Sequence, residues 1–311
     1  MSTPMEIPAV SSFDQIETLA AKKVTSKKPR AALVVPSETD SWPAFLDAFK
    51  RGIIDPFVIG DEKLFRKTAD ESHIDIGGFH MIDINQPNMA LKAAAKMAID
   101  GEIDMIVAGR MVPEETVSIL SAGDLGFVVP GRIMSHVGVL KAAGYPKLLL
   151  VTDGLVHEQP DLKTKIDLLG NLARVGKAIG VADPRTAVVA AVEVIYPQMP
   201  ATTDAAVLAK MYDRGQIKGV RVDGPLSFDV AVDAFAAESK GITGSEVAGQ
   251  ADAILASTRL VAQGVYQAMS LYAECASGSV LVGGRVPVAV NFVSEPVASR
   301  FNSILLAVLL A

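Results

Sequence analysis

Residues 147–154, KLLLVTDG, and residues 163–180, KTKIDLLGNLARVGKAIG, decide the fold class of this chain. Leu148 to Val151 are apolar without alternation, which reads as a strand buried on both faces. The next segment places Ile166, Leu169, Leu172, Ala173, Gly176 and Ile179 on one stripe, with Lys165, Arg174 and Lys177 off it. That spacing predicts an amphipathic helix, and Gly180 is a natural stop. A strand followed by one helix points to parallel pairing, because a parallel neighbour is reached only through a crossover.

The alternation extends in both directions. Upstream, AALVVPS (31–37), PFVIGD (56–61), FHMIDI (79–84) and DMIVAGR (104–110) read as strands between the helical segments FDQIETLAAKK, WPAFLDAFKRG, EKLFRKTADES and NMALKAAAKMAIDGE. Downstream, TAVVAAVEVI (186–195), VRVDGPLSF (220–228), ADAILAS (251–257) and SVLVGGRVPVAV (279–290) continue it, around the helices TDAAVLAKMYDRG and LVAQGVYQAMSLYAEC. The two α/β halves divide near 142–147, AAGYPK, where Gly144 and Pro146 break the pattern.

Composition narrows the function. A chain of 311 residues, half of them hydrophobic, is long enough for two domains of roughly 100–200 residues each. A net charge of −6 argues against nucleic acid or an anionic membrane as a standing partner, since phosphate binding needs a basic face. The basic run KKVTSKKPR is short and isolated, and reads as a solvated linker. The single cysteine, Cys275, excludes an intramolecular disulfide, agrees with a reducing cytoplasm and reads as a buried small side chain. The opening MSTPMEIPAV lacks the features of a secretory signal, and no segment approaches the ~20 apolar residues that span a bilayer.

Familiar catalytic signatures are absent. There is no G-x-S-x-G, H-E-x-x-H or paired C-x-x-C, so no hydrolase elbow or zinc site is expected. GNLARVGK imitates a phosphate loop, but five residues separate Gly170 from Gly176 where that loop has four. His73, His80 and His157 have no ligand-spaced partner and read as surface or packing residues. Two clusters stand out. PGRIMSHVGVL brings Arg132, Ser135 and His136 together after a glycine turn, and a guanidinium can grip phosphate or carboxylate through its planar fork. Ser135 and His136, as chain neighbours, point apart and do not make a nucleophile–base pair. In VDGPLSFDVAV, Asp223, Gly224 and Pro225 follow a strand, either as a ligand-docking loop or as a tight turn closed by the aspartate.

The segments KLLLVTDG, PDLKTKIDLLGNLARVGKAIG, YPQMPATTDAAVLAKMYDRGQIKGVRVDGPLSFDVAV, KGI, VAGQADAIL and VGGRVPV occur in the order and spacing of the phosphate acetyl/butyryltransferase family, which the chain resembles. The likeness is dense from Leu148 to Pro287 and fainter upstream, where GRIMSHV matches best. The resemblance implies two three-layer α/β/α domains with largely parallel sheets and an interdomain cleft, as in isocitrate and isopropylmalate dehydrogenase-like folds. The domains would be residues 1–146 with 291–311, and 147–290, the last helix returning through Val297, Phe301, Ile304, Leu305 and Val308. It also implies a cytoplasmic homodimer that moves an acyl group between coenzyme A and phosphate, with coenzyme A as a substrate and no permanent cofactor or metal. A carboxylate would take the thiol proton while arginines hold the phosphoryl group.

Several positions depart from that pattern. The family's Ser-Arg-x-Asp-Ser corresponds to Phe292, Val293, Ser294, Glu295 and Pro296, so the phosphate arginine is a valine and the expected base a glutamate. Its Pro-Asp-Ile-Glu-Ala-Gly-Asn loop becomes STRLVAQ, its Arg-Thr becomes Val129 and Pro130, and its Lys-Gly becomes Ala108 and Gly109. Arg110 and Arg259 arise in the same loops. The two clusters, the resemblance and its departures together nominate Glu295 and Arg132 for catalysis, and Ser135, His136, Asp223, Gly224, Pro225, Arg110, Arg259 and Ser294 for binding substrate. Local physics places Glu295 just outside a helix, with Pro296 at its first position. Three readings stand: the family's transferase with a rebuilt phosphate site, an acyl-CoA enzyme with another acceptor, and a non-catalytic partner subunit.

Overall fold

A computed structural model of the protein describes residues 10–36, 41–71, 74–273 and 275–311. The stretch read for a signal falls almost entirely on residues 1–9, outside the described residues, as does His73.

The first half comprises α1 (Phe13–Lys23), β1 (Arg30–Val34), α2 (Ser41–Lys50), β2 (Asp55–Gly60), α3 (Glu62–Glu71), β3 (His80–Asp83), α4 (Pro87–Ile99), β4 (Met105–Ala108) and α5 (Pro113–Leu120). There follow β5 (Ser135–Lys141), β6 (Leu149–Thr152), α6 (Leu162–Ala178), β7 (Arg185–Val189), α7 (Pro200–Asp213), β8 (Arg221–Leu226), α8 (Phe228–Val232), α9 (Ala234–Ser239), β9 (Ala253–Leu255), α10 (Arg259–Tyr272), β10 (Ala276–Val282), β11 (Val288–Ala289) and α11 (Val297–Leu310).

The strands form one eleven-stranded sheet in the order β3-β2-β1-β4-β11-β10-β5-β6-β9-β7-β8. Its two outer blocks are parallel, and the three central pairings, β11–β10, β10–β5 and β5–β6, are antiparallel. The expected halves are thus fused through an antiparallel seam. Three reversals make the blocks run in opposite directions, so the carboxyl ends of β1, β4 and β11 lie on one edge of the sheet. Those of β6, β9 and β7 lie on the other.

The opening stretch folds as its pattern requires. Leu149, Leu150 and Val151 are at most 3% exposed, as befits an interior strand. In α6, Asp161 caps the first turn by accepting from the Thr164 N–H at 2.7 Å, and Leu168, Leu169, Leu172 and Val175 are buried. Each such side chain contributes roughly 1.5–3 kcal/mol when fully buried. Lys165 departs from its expected place on the polar face: it is 4% exposed, with its ammonium 2.6 Å from the Asp204 carboxylate. The helix α11 packs on β10, α1 and α2, burying Phe301, Ile304, Leu305 and Val308, whereas Val297 stays 36% exposed. Pro296 is the N-cap of this helix rather than its first turn, which sets Glu295 one position further outside.

Candidate active site

Three chain segments leave the carboxyl edge of the first block side by side, because β1, β4 and β11 are adjacent. After β1 come Val35 and Pro36, and after β4 come Gly109 and Arg110, whose N–H groups donate to the Val34 and Val35 carbonyls at 2.9 and 2.6 Å. Gly109 keeps its family identity for a physical reason: a Cβ there would lie 2.1 Å from the Val35 oxygen. After β11 the chain turns through Asn291 to Glu295. Arg110, Val293 and Ser294 are all exposed on this edge.

Glu295 sits beneath that turn and is 4% exposed. Its Oε1 accepts from Tyr266 Oη at 2.6 Å and Ser277 Oγ at 3.1 Å. Its Oε2 accepts from the Phe292 N–H at 2.7 Å and Asn291 Nδ2 at 3.2 Å. One carboxylate therefore ties α10, β10 and its own turn together. Burial, followed by the Glu295 charge, pushes the Tyr266 phenol well above its ordinary value, so it remains a donor.

His136 and Ser135 occupy the start of β5 and point to opposite faces. Ser135 is fully buried and its Oγ accepts from Asn171 Nδ2 at 2.8 Å. The His136 ring packs edge-on against Tyr266 and Phe292, each at 5.7 Å between centroids. Both of its ring nitrogens lack a partner, and burial pushes its pKa down to about 3, so it is a neutral wedge. Both side chains are shielded from solvent rather than presented to it. Beside them lies Asp153, which the sequence reading did not single out. Its buried carboxylate accepts from the N–H groups of His136, Leu155, Val156 and His157 at 3.0–3.1 Å and shapes the turn after β6.

The remaining candidates separate. Asp223, Gly224 and Pro225 lie inside β8 rather than after it, where the register against β7 shifts between Ala187 and Val189. There the Asp223 carboxylate accepts from the Gly224 N–H at 2.8 Å and from the Ser245 hydroxyl. These contacts accompany the register shift within the strand. Arg259 opens α10 on the second block's carboxyl edge, and Glu158 neutralises it at 2.6 Å. Arg132 is exposed on that same edge, in a cleft lined by Arg174, Arg285 and residues 282–287. Glu295 meets β10 at Ser277 and Arg132 meets it near Val282, so the strand's length, roughly 17 Å, separates them. The fold does not bring the two nominated catalytic residues together.

The other two described histidines pack against neighbours: His80 stacks on Phe57 at 4.4 Å and His157 Nε2 lies 2.9 Å from the Met134 carbonyl. Cys275 is buried and unpaired. Among the described residues no helix is long and apolar enough to cross a membrane, and no group of His, Cys, Asp and Glu is arranged to hold a metal.

Comparison with known proteins agrees with this architecture. Residues 85–308 match the family described as phosphate acetyl/butaryl transferase. A phosphate butyryltransferase of Clostridium acetobutylicum is 37% identical, covering 97% of this chain and 99% of that protein. A phosphate acetyltransferase of Rhizobium meliloti is 30% identical, over 97% and 94%. The crystal structure of a branched-chain phosphotransacylase from Enterococcus faecalis V583 superposes with a TM-score of 0.76, at 21% identity, over 90% of this chain and 98% of that one. The chain belongs to the phosphate acetyl/butyryltransferase family.

Proposed function

We propose that the protein moves an acyl group between coenzyme A and inorganic phosphate at the carboxyl edge of β1, β4 and β11. The observation that carries this reading is family membership over nearly the full length of relatives bearing that activity in their names. A phosphate oxygen attacks the thioester carbonyl carbon, the C–S bond breaks with its electron pair on sulfur, and the departing sulfur takes the proton that the attacking hydrogen phosphate gives up. Arg110 supplies the cation for the phosphate, its planar fork standing in for the arginine that Val293 replaces. Ser294 offers a hydroxyl beside it.

Glu295 is the carboxylate of this site, and its four hydrogen bonds support a positioning role: it holds the 291–295 turn against Tyr266 and Ser277. Positioning and charge then carry the rate. Residues 1–146 with 291–311, and 147–290, act as the two domains, a reading supported by the separate parallel blocks β3-β2-β1-β4 and β6-β9-β7-β8. The protein works in the cytoplasm as a homodimer, a reading supported by Leu260 and Tyr272 of α10, which are 72% and 87% exposed.

The test is thiol release from acetyl-CoA and butyryl-CoA by folded protein, with and without phosphate. Phosphate-dependent release is expected. Release independent of phosphate assigns another acceptor, and no release from either thioester overturns the transferase reading.

A further inference from the structure

Arg132, Arg174 and Arg285 come from three different elements and line one cleft with a volume of about 120 Å³. Among the described residues none of the three is ion-paired. Arg285 reaches only the Gly126 carbonyl, at 3.5 Å. Several other arginines are neutralised, as in Arg30 with Asp104 at 2.9 Å and Arg51 with Glu17 at 2.6 Å. Here partial burial and the Arg132 charge push the Arg174 guanidinium below its ordinary value, with nothing nearby to offset them.

The cleft is constructed rather than incidental. Asn171, one turn before Arg174 on α6, donates to the Ile133 carbonyl at 3.0 Å and so fixes α6 beside the Arg132 loop. The Val129 N–H donates to the Gly283 carbonyl at 3.1 Å, docking that loop on the β10–β11 connection. Gly283 has φ +100, and a Cβ there would fall 1.9 Å from the Ile133 oxygen. Only glycine lets the two backbones approach, and this close approach sets the Arg132 loop and Arg285 on the walls of one cleft with Arg174. Like charges gathered without a counter-charge are unfavourable in the free protein, and an anion reverses the sign.

We propose that this cleft is a binding site for a phosphate dianion, as free phosphate or as the terminal group of a phosphate monoester, distinct from the site of acyl transfer. Its occupant bridges the loop before β5, α6 and the β10–β11 connection, and so stiffens the antiparallel seam.

The test combines calorimetric titration and thermal melts of the full chain with inorganic phosphate and, separately, glycerol phosphate, at constant ionic strength. The variants are wild type, Arg174→Gln with Arg285→Gln, and Arg110→Ala. Wild type and R110A should retain the seam site, while the double variant should bind at least tenfold more weakly with acyl transfer within twofold of wild type. Without phosphate the double variant should melt no lower than wild type, and with phosphate wild type should melt higher. Tighter binding of glycerol phosphate assigns the ester, and equal or weaker binding assigns the free ion. Unchanged phosphate binding in the double variant overturns the proposal, as does a parallel collapse of acyl transfer in a folded double variant.

Discussion

The two ends of β10 are chemical opposites. At Ser277 a carboxylate is sealed among four donors with no cation among them, and near Val282 three arginines line one cleft that no carboxylate lines. Glu295 and Arg132, nominated together from the sequence, sit at the two ends of one strand. The difference teaches that a family motif transfers position in the chain, whereas function needs position in space. The direction of each strand block decides which candidates can meet.

The largest effect that breaks this contrast is expected at Gly283. Gly283→Ala drives a Cβ into the Ile133 backbone, in addition to a left-handed conformation that costs about 1–3 kcal/mol by itself. It should abolish soluble, cooperatively melting protein, and a variant melting within a few degrees of wild type contradicts the close approach.

Next comes the negative end. Glu295→Ala strands several buried donors, each worth about 1–3 kcal/mol when unsatisfied, so a drop of several kcal/mol in urea unfolding is expected together with lost activity. Glu295→Gln sharpens the point. An amide facing four donors should lower stability and activity together, whereas wild-type stability with lost turnover would return Glu295 to the role of base.

Arg110→Ala tests the cation of the same edge. Losing charge-assisted hydrogen bonds worth about 1.5–3 kcal/mol should raise the KM for phosphate roughly 10- to 100-fold with melting unchanged. An unaltered KM moves the phosphate elsewhere. The smallest effect belongs to Arg259→Ala, whose partner Glu158 is 64% exposed; urea unfolding should change by less than about 1 kcal/mol.

His136 gives the contrast a pH signature. Its folded pKa is depressed to about 3 from 6.5, so between those values the unfolded chain binds the extra proton. Its contribution is therefore fully present above pH 6.5 and is lost as pH falls toward 3. Acid melts should show this slope in wild type, and His136→Phe should flatten it.

Much of the sheet is legible in the sequence, because β6 and α6 carry the uninterrupted and 3.6-residue patterns that burial imposes. The seam is not. In SHVGVLK, β5 is interrupted by Ser135, His136 and Gly138, residues that look unsuited to a central strand. Each is explained by something distant: Asn171 meets Ser135, Tyr266 and Phe292 pack against His136, and Tyr266 rests on Gly138, where a Cβ would lie 2.4 Å from its ring. The strand β11 has only two residues, too few for any periodicity. Glu295 was visible as a candidate, but its partners Tyr266 and Ser277 lie 29 and 18 residues away, on elements that only tertiary structure brings together. Lys165 escaped for the same reason, since Asp204 lies 39 residues on.

The place of β11 bears on how the chain is made. It slots between β4 and β10, and α11 then covers the groove along α1 and α2. During synthesis from the amino terminus, the first block therefore waits with an unpaired β4 edge and an uncovered apolar face until β11 and α11 have emerged. Closing that long-range contact is the entropically expensive step of assembly, and the interval before it is when an exposed edge is open to pairing with another chain.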